Sequence, residues 1–260
     1  MTRTFVVTGA ASGIGRATSQ LLEARGEKVI SVDLRDADIE VDLSSDEGVE
    51  FLASEAARLS GGTVDGVLAI AGLAQPVAKT VEINYYGTIA TLESLRPLLL
   101  TSAAPRAALV TSMASLFPPD DTLLDALLDG TRATAMERAE ELAAGTPEQS
   151  GLLYGTSKRA LARWLRRTAA SADWAGAGIP LNGVAPGVVT TPMTAGLTAS
   201  EADRAALLTQ VPMPLGGIFG PEAVADLLAW LVGESNGHLC GQIVFIDGGS
   251  DVVIRGDSTW

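Results

Sequence analysis

The sequence predicts a single α/β domain: a doubly wound parallel sheet, helices on both faces, and a helical insertion over residues 118–150. Three observations predict it. Short runs rich in Val, Ile and Leu alternate with longer stretches of helical periodicity, the rhythm of βαβ units. A glycine-rich run lies where the first apolar run gives way to the first helical pattern. One polar segment, Pro118 to Ser150, fits the rhythm poorly.

The strands expected in order are Thr4–Thr8, Lys28–Asp33, Val64–Ala71, Ala107–Thr111, Pro180–Val184 and Gln242–Ile246. Helical periodicity marks Ile14–Arg25, Ser45–Ser60, Lys79–Leu100, Tyr154–Trp174 and Pro221–Gly233. Residues 118–150 begin Pro118-Pro119-Asp120-Asp121 and hold two helix-like pieces, Thr122–Leu128 and Arg132–Ala144, which read as an insertion on a finished scaffold. With 260 residues, 47% of them hydrophobic, the chain can bury one substantial core, so residues 1–260 are read as one domain.

A formal charge of −13 repels phosphate backbones and anionic lipid, which argues against nucleic-acid and membrane-surface partners. No apolar stretch approaches the roughly 18 residues that span a bilayer. The start carries no signal-peptide pattern, and the expectation is a soluble cytoplasmic protein. One cysteine, Cys240, and one histidine, His238, leave no intrachain disulfide and no histidine cluster for a metal.

In Gly9-Ala10-Ala11-Ser12-Gly13-Ile14-Gly15, glycines between a strand and a helix permit a tight turn and close approach to a pyrophosphate at the helix N-terminus. Asp33 closes the second strand about 20 residues on, where a carboxylate can bind an adenosine ribose diol and repel a 2′-phosphate. NAD(H) is therefore favoured over NADP(H), with Arg35 as the competing signal. Asp42 and Leu43 follow the next short extended piece and can stand beside the adenine; Asp42 reads equally as a surface turn residue.

Tyr154 and Lys158 are four residues apart on a predicted helix and share a face. A free phenol titrates near pH 10, and an adjacent ammonium would pull that value down, giving an acid for carbonyl reduction and a base for alcohol oxidation. Ser112 follows a strand whose C-terminal end belongs on the same sheet edge as the glycine run, so its hydroxyl can reach the reacting oxygen. Asn84 sits inside a predicted helix, where asparagine is a poor former and points to a specific hydrogen-bonding task. Taken singly, Ser112 and Asn84 are also ordinary polar residues.

Together these residues resemble the short-chain dehydrogenase/reductase family nearly end to end, and the resemblance implies a Rossmann fold. Its Thr-Gly-x-x-x-Gly-x-Gly appears as Thr8 to Gly15, its acidic residue as Asp33, and its Asn-Ser-Tyr-Lys tetrad as Asn84, Ser112, Tyr154 and Lys158. Its Pro-Gly-x-Val-x-Thr appears as Pro186-Gly187-Val188-Val189-Thr190-Thr191, and its Asp-Gly-Gly as Asp247-Gly248-Gly249. The resemblance implies that Ser112 polarises the substrate oxygen, Tyr154 transfers the proton, and Lys158 tunes the tyrosine and holds the nicotinamide ribose. It implies further that Asn84 positions a water beside Lys158, and that Pro186, Gly187, Val189 and Thr191 lie at the nicotinamide. One departure is Ala69-Ile70-Ala71-Gly72, where the family has Asn-Asn-Ala-Gly; Ala71 and Gly72 remain expected cofactor contacts, and backbone or water must replace the asparagines.

The long gap between Ser112 and Tyr154, with Asp33-Leu34-Arg35 and Asp42-Leu43-Ser44, is similar to a bacterial subgroup of that family, the 3α-hydroxysteroid dehydrogenase/carbonyl reductases. The resemblance places Leu34 at the cofactor and makes the insertion a helical subunit interface of a homodimer or homotetramer. Leu123, Leu124, Leu127 and Leu128 are its candidate apolar contacts, and a mobile excursion is the alternative. Residues 193–219 correspond to the family's substrate lid, so Leu116, Phe117, Met193, Leu197, Met213 and Leu215 are expected to line an apolar pocket for a small alcohol or ketone. A 3-hydroxysteroid or similar bulky alicyclic compound leads; terpenoid alcohols, cyclic diketones and 3-oxoacyl thioesters use the same chemistry. A dinucleotide sensor without catalysis would lack Tyr154 or Lys158, and both are present.

Overall fold

The structure, a computed structural model, describes residues 2–258; Met1, Thr259 and Trp260, part of the expected domain, lie outside the described residues. Seven parallel strands form one sheet: β1 (Thr4–Thr8), β2 (Lys28–Asp33), β3 (Ile39–Glu40), β4 (Gly66–Ala69), β5 (Arg106–Val110), β6 (Leu181–Pro186) and β7 (Ile243–Ile246). Their order is β3-β2-β1-β4-β5-β6-β7. The chain winds outward from β1 to β3, then crosses to β4 on the other side of β1. That reversal opens a crevice at the carboxyl ends of β1 and β4, the place where such sheets bind ligands.

Alternation along each strand feeds two cores. Phe5 and Val7 of β1 point to one face, with Leu68, Ala108, Val110 and Val184. There they meet α1 (Gly13–Ala24), which gives Leu22, and α9 (Glu222–Leu231), which gives Val224 and Leu228. Val6, Val67, Ala69 and Leu109 point to the other face, against Leu52 of α2 (Asp46–Ser60), Leu92 and Leu95 of α4 (Thr88–Leu99), and Leu161 and Leu165 of α7 (Pro147–Thr168). Strands covered on both faces read as continuous apolar runs, which is why β4, β5 and β6 stand out in the sequence.

Three expected elements differ. The helix expected over Lys79–Leu100 is interrupted: α3 (Lys79–Val81) leads into a π-helical turn, Glu82–Gly87, before α4. The buried side chain of Asn84, bonded to a neighbouring loop rather than its own helix, sits in that turn. The short strand β3, beyond the reach of periodicity at two residues, pairs with Val32 and Asp33. The helix expected from Tyr154 begins instead at Pro147, because Thr146 and Gln149 form a reciprocal capping box and Pro147 suits the first turn.

The insertion is not an addition to a finished scaffold. Its helices α5 (Asp121–Asp129) and α6 (Arg132–Ala143) place Leu123, Leu124, Leu127, Ala135, Ala139 and Leu142 in the same core cluster as Leu153 and Leu161 of α7. Tyr85 donates from its hydroxyl to Leu127 O at 2.7 Å, tying the insertion to the π-helical turn. Leu123, Leu124 and Leu127, expected as candidate contacts with a partner subunit, point inward, with Leu128 partly buried against the same cluster. Leu123→Ala should therefore lower the unfolding free energy by about 2–5 kcal/mol, measured by urea denaturation followed by circular dichroism; a loss below about 1 kcal/mol, ordinary for surface changes, would mean that the insertion does not share the core.

Candidate active site

The turn from β1 into α1 is built around missing side chains. Gly9 and Gly13 have positive φ angles of 70° and 51°. A Cβ on Gly15 would lie 2.1 Å from Gly9 O, so only glycine allows the helix to start this close to the strand. Ser12 caps α1 without a side-chain hydrogen bond, and the first turn carries no acidic residue, which leaves its backbone N–H groups available to an anion. Gly9, Ser12, Gly13, Ile14 and Gly15 line a cleft with Ala71, Gly72, Ser112, Tyr154, Lys158, Pro186, Gly187, Val189 and Thr191.

A second stretch of the groove leads away from Tyr154 and is lined by Asp33, Leu34, Val41, Asp42, Leu43, Leu73 and Ile83. Asp33 accepts from Ala11 N at 2.9 Å and from Leu34 N at 2.7 Å, which fixes its carboxylate at the end of β2. Arg35 is exposed and does not line the groove. Asp42 is an ion-paired turn residue, its oxygens held by Lys79 Nζ at 2.8 Å and by Ser44. Those bonds, Lys79 foremost, hold its carboxyl down to about 2.

The turn Ile70-Ala71 is held by a side chain of β1. Thr8 Oγ1 accepts from both Ile70 N, at 2.9 Å, and Ala71 N, at 3.0 Å, and so pins the turn after β4 to the end of β1.

Ser112 leaves β5 and caps the 3₁₀ turn Met113–Leu116, accepting from Ala114 N at 3.1 Å. It lines the cleft together with Tyr154, whose phenol its hydroxyl favours in the ionised form. Lys158, one helical turn below, is buried and donates from Nζ to Val110 O at 2.9 Å. Burial alone pushes its ammonium down to about 8. Burial raises Tyr154 above the ordinary tyrosine range, and the group opposing it is Ser112.

Asn84 clasps the loop after β4, accepting from Leu73 N at 2.8 Å and donating to Leu73 O at 2.9 Å and Ser157 Oγ at 3.1 Å. Its amide is committed to protein partners, so it positions the surroundings of Lys158. Gly72 makes that packing possible, since a Cβ there would stand 3.1 Å from Asn84 Oδ1 and 3.3 Å from Lys158 Nζ.

Of the six side chains expected at the substrate, only Met193 lines the cleft with Tyr154. Leu116 turns into a separate groove with Arg159 and Phe245. Met213 is buried in a small core with Met113, Val188 and Val211, where its sulfur accepts from Val188 N, and Phe117 packs on that cluster. Leu197 and Leu215 are exposed and outside the cleft. Periodicity reports burial of an apolar residue but not which of several cavities it faces. Ile70, Val110, Thr111 and Thr194, also in the cleft, went unread because each looks like ordinary strand or loop sequence.

The residues fit a dinucleotide: glycines where a Cβ would collide, an open helix N-terminus, and a carboxylate at the end of β2. Among the described residues no helix is long and apolar enough to cross a membrane.

Comparison with known proteins agrees with the motifs. Residues 3–122 match the family model described as short chain dehydrogenase, and residues 130–251 match the one described as enoyl-(acyl carrier protein) reductase. The chain is 35% identical to a 3-alpha-hydroxysteroid dehydrogenase/carbonyl reductase of Comamonas testosteroni, covering 96% of this chain and 97% of that one. It is 30% identical to a cis-4-hydroxycyclohexanecarboxylate dehydrogenase of Sinomonas cyclohexanicum, with the same two coverages. Among solved structures, the 3-alpha-hydroxysteroid dehydrogenase of Pseudomonas sp. B-0831, complexed with NADH, superposes with a TM-score of 0.87 at 36% identity, covering 98% of this chain and 99% of that one.

The depressed Lys158 predicts a pH signature. The unfolded lysine keeps its proton to about 10.5 and the folded one to about 8, so between these values the unfolded chain holds the extra proton and stability rises with pH. Relative to Lys158→Met, the wild type should gain stability from pH 8 to pH 10 in paired denaturant titrations; parallel profiles would mean that the ammonium is not desolvated.

Proposed function

The chain belongs to the short-chain dehydrogenase family of oxidoreductases, and we propose that it interconverts a secondary alcohol and a ketone with NAD(H), on an apolar alicyclic substrate such as a 3-hydroxysteroid. One observation carries the reading: Tyr154, Ser112 and Lys158 line the same cleft as the Gly9–Gly15 cradle. The nicotinamide supplies or accepts the hydride when bound. Ser112 and Tyr154 then hold the substrate oxygen with two hydroxyls. In reduction Tyr154 donates its proton to that oxygen, and in oxidation it takes the proton back.

Lys158 anchors α7 to β5 through Val110, so the tyrosine is held against Ser112. Its remaining N–H groups would hold the ribose hydroxyls of the dinucleotide, the role carried over from the family. Asp33, with Leu34 and Ala11 N–H groups already on its oxygens, still presents a negative charge to an adenosine ribose, and that charge favours NAD(H) over a 2′-phosphorylated form. The alicyclic substrate class rests on Pro192 and Met193 beside the cleft and on two relatives named for a steroid and for a hydroxycyclohexane acid.

The test is NADH turnover, followed by fluorescence, over a panel of steroid and alicyclic ketones. Tyr154→Phe should lose roughly 10²–10⁴ in turnover while still binding NADH. No turnover of any ketone or alcohol by the wild type, or full activity in the variant, would overturn the proposal. For the cofactor, Asp33→Asn should bring NADPH closer to NADH in kcat/KM; a wild type that already prefers NADPH would show that Asp33 does not select.

A further inference from the structure

The inserted helices reach the cofactor groove through one side chain. Arg132, at the start of α6, donates from Nη1 to Asp46 Oδ1 at 2.8 Å and from Nη2 to Glu82 Oε1 at 2.8 Å and Ser44 O at 3.2 Å. Its guanidinium carbon also lies 5.3 Å from the centre of the Tyr86 ring. Ser44 and Asp46 lie one and three residues after Leu43, which lines the groove with Asp42; Glu82 directly precedes Ile83, which lines it too. One planar fork therefore joins two separate lining segments of the groove, in the stretch that leads away from Tyr154.

Two further contacts show that this stretch is drawn tight. Lys79 pairs with Asp42, and Gly87 packs so closely on the loop that a Cβ would stand 2.7 Å from Leu43 O. Lys79 and Gly87 belong to the α3 and π-helical stretch itself. Arg132 alone of the three comes from the insertion, and it holds two carboxylates that would otherwise face each other as like charges.

We propose that Arg132 is a positioning residue for the adenosine half of the cofactor, and that the insertion thereby contributes to dinucleotide affinity. This rests on the reading of the groove as a dinucleotide site. The guanidinium touches neither cofactor nor substrate; it sets the gap between Leu43 and Ile83 into which the adenine fits. A lysine at this position keeps the charge but cannot span both carboxylates with one rigid fork, so it restores the function only in part.

The test uses the full chain and measures dissociation constants for NADH, ADP-ribose and nicotinamide mononucleotide, with steady-state kinetics alongside. Arg132→Ala should weaken NADH and ADP-ribose by roughly five- to tenfold, as for members of one hydrogen-bonded network. It should leave nicotinamide mononucleotide and the kcat at saturating NADH unchanged. Arg132→Lys should fall between. The control is Arg138→Ala, which removes the bonds of another α6 arginine to Asp120 and Glu141 within the insertion and should leave ADP-ribose affinity as it is. Unchanged ADP-ribose affinity in Arg132→Ala overturns the proposal, and so does an equal loss in Arg138→Ala, which would mark a general loosening of the insertion. A wild type that binds neither ADP-ribose nor NADH overturns the dinucleotide reading itself.

Discussion

A buried cation organises the cleft. An ammonium removed from water is costly unless it is hydrogen-bonded, and Lys158 has Val110 O, at the end of β5, as its protein acceptor. That bond joins α7 to the end of β5, two residues before Ser112, and Tyr154, one turn earlier on the helix, lines the same cleft as Ser112. It also dictates Gly72, because any side chain there would press on Nζ and on Asn84. Asn84 in turn holds the loop carrying Gly72, and the π-helical turn is the backbone adjustment that lets it do so. The ends of β4, β5 and α7 are thus fixed relative to one another by polar contacts around one charge.

The cradle obeys a different constraint, one of contact distance. Gly15 against Gly9 O and Gly9 against Ala71 set how near α1 and the turn after β4 can come to the end of β1, while Thr8 supplies the hydrogen bonds that hold that turn. Apolar layers on the two faces hold the sheet, and the polar chemistry is confined to its carboxyl edge.

What could be read in advance follows from this division. The strands, the glycine turn, Asp33, Ser112, Tyr154 and Lys158 are legible because each is fixed by local pattern or by spacing along one helix. The direction of the Lys158 ammonium was not, since it depends on a carbonyl 48 residues away in sequence. The same holds for Thr8, whose acceptor role needs β4 beside β1. Met213 and the leucines of the insertion lie elsewhere than expected for a common reason: hydrophobicity states that a side chain avoids water and leaves open whether a core, a ligand or another subunit covers it. In this structure Met213, Leu123, Leu124 and Leu127 are covered by their own chain.

That α7 begins inside the insertion has a kinetic meaning. Helices α5, α6 and α7 follow one another with short connections and pack together, so their mutual contacts close small loops and carry little chain entropy. The parallel strands, by contrast, meet only across long crossovers. Pieces of this chain that are near in sequence thus form a three-helix unit whose last helix carries Tyr154 and Lys158, and its internal contacts are local while those of that helix with the sheet are not.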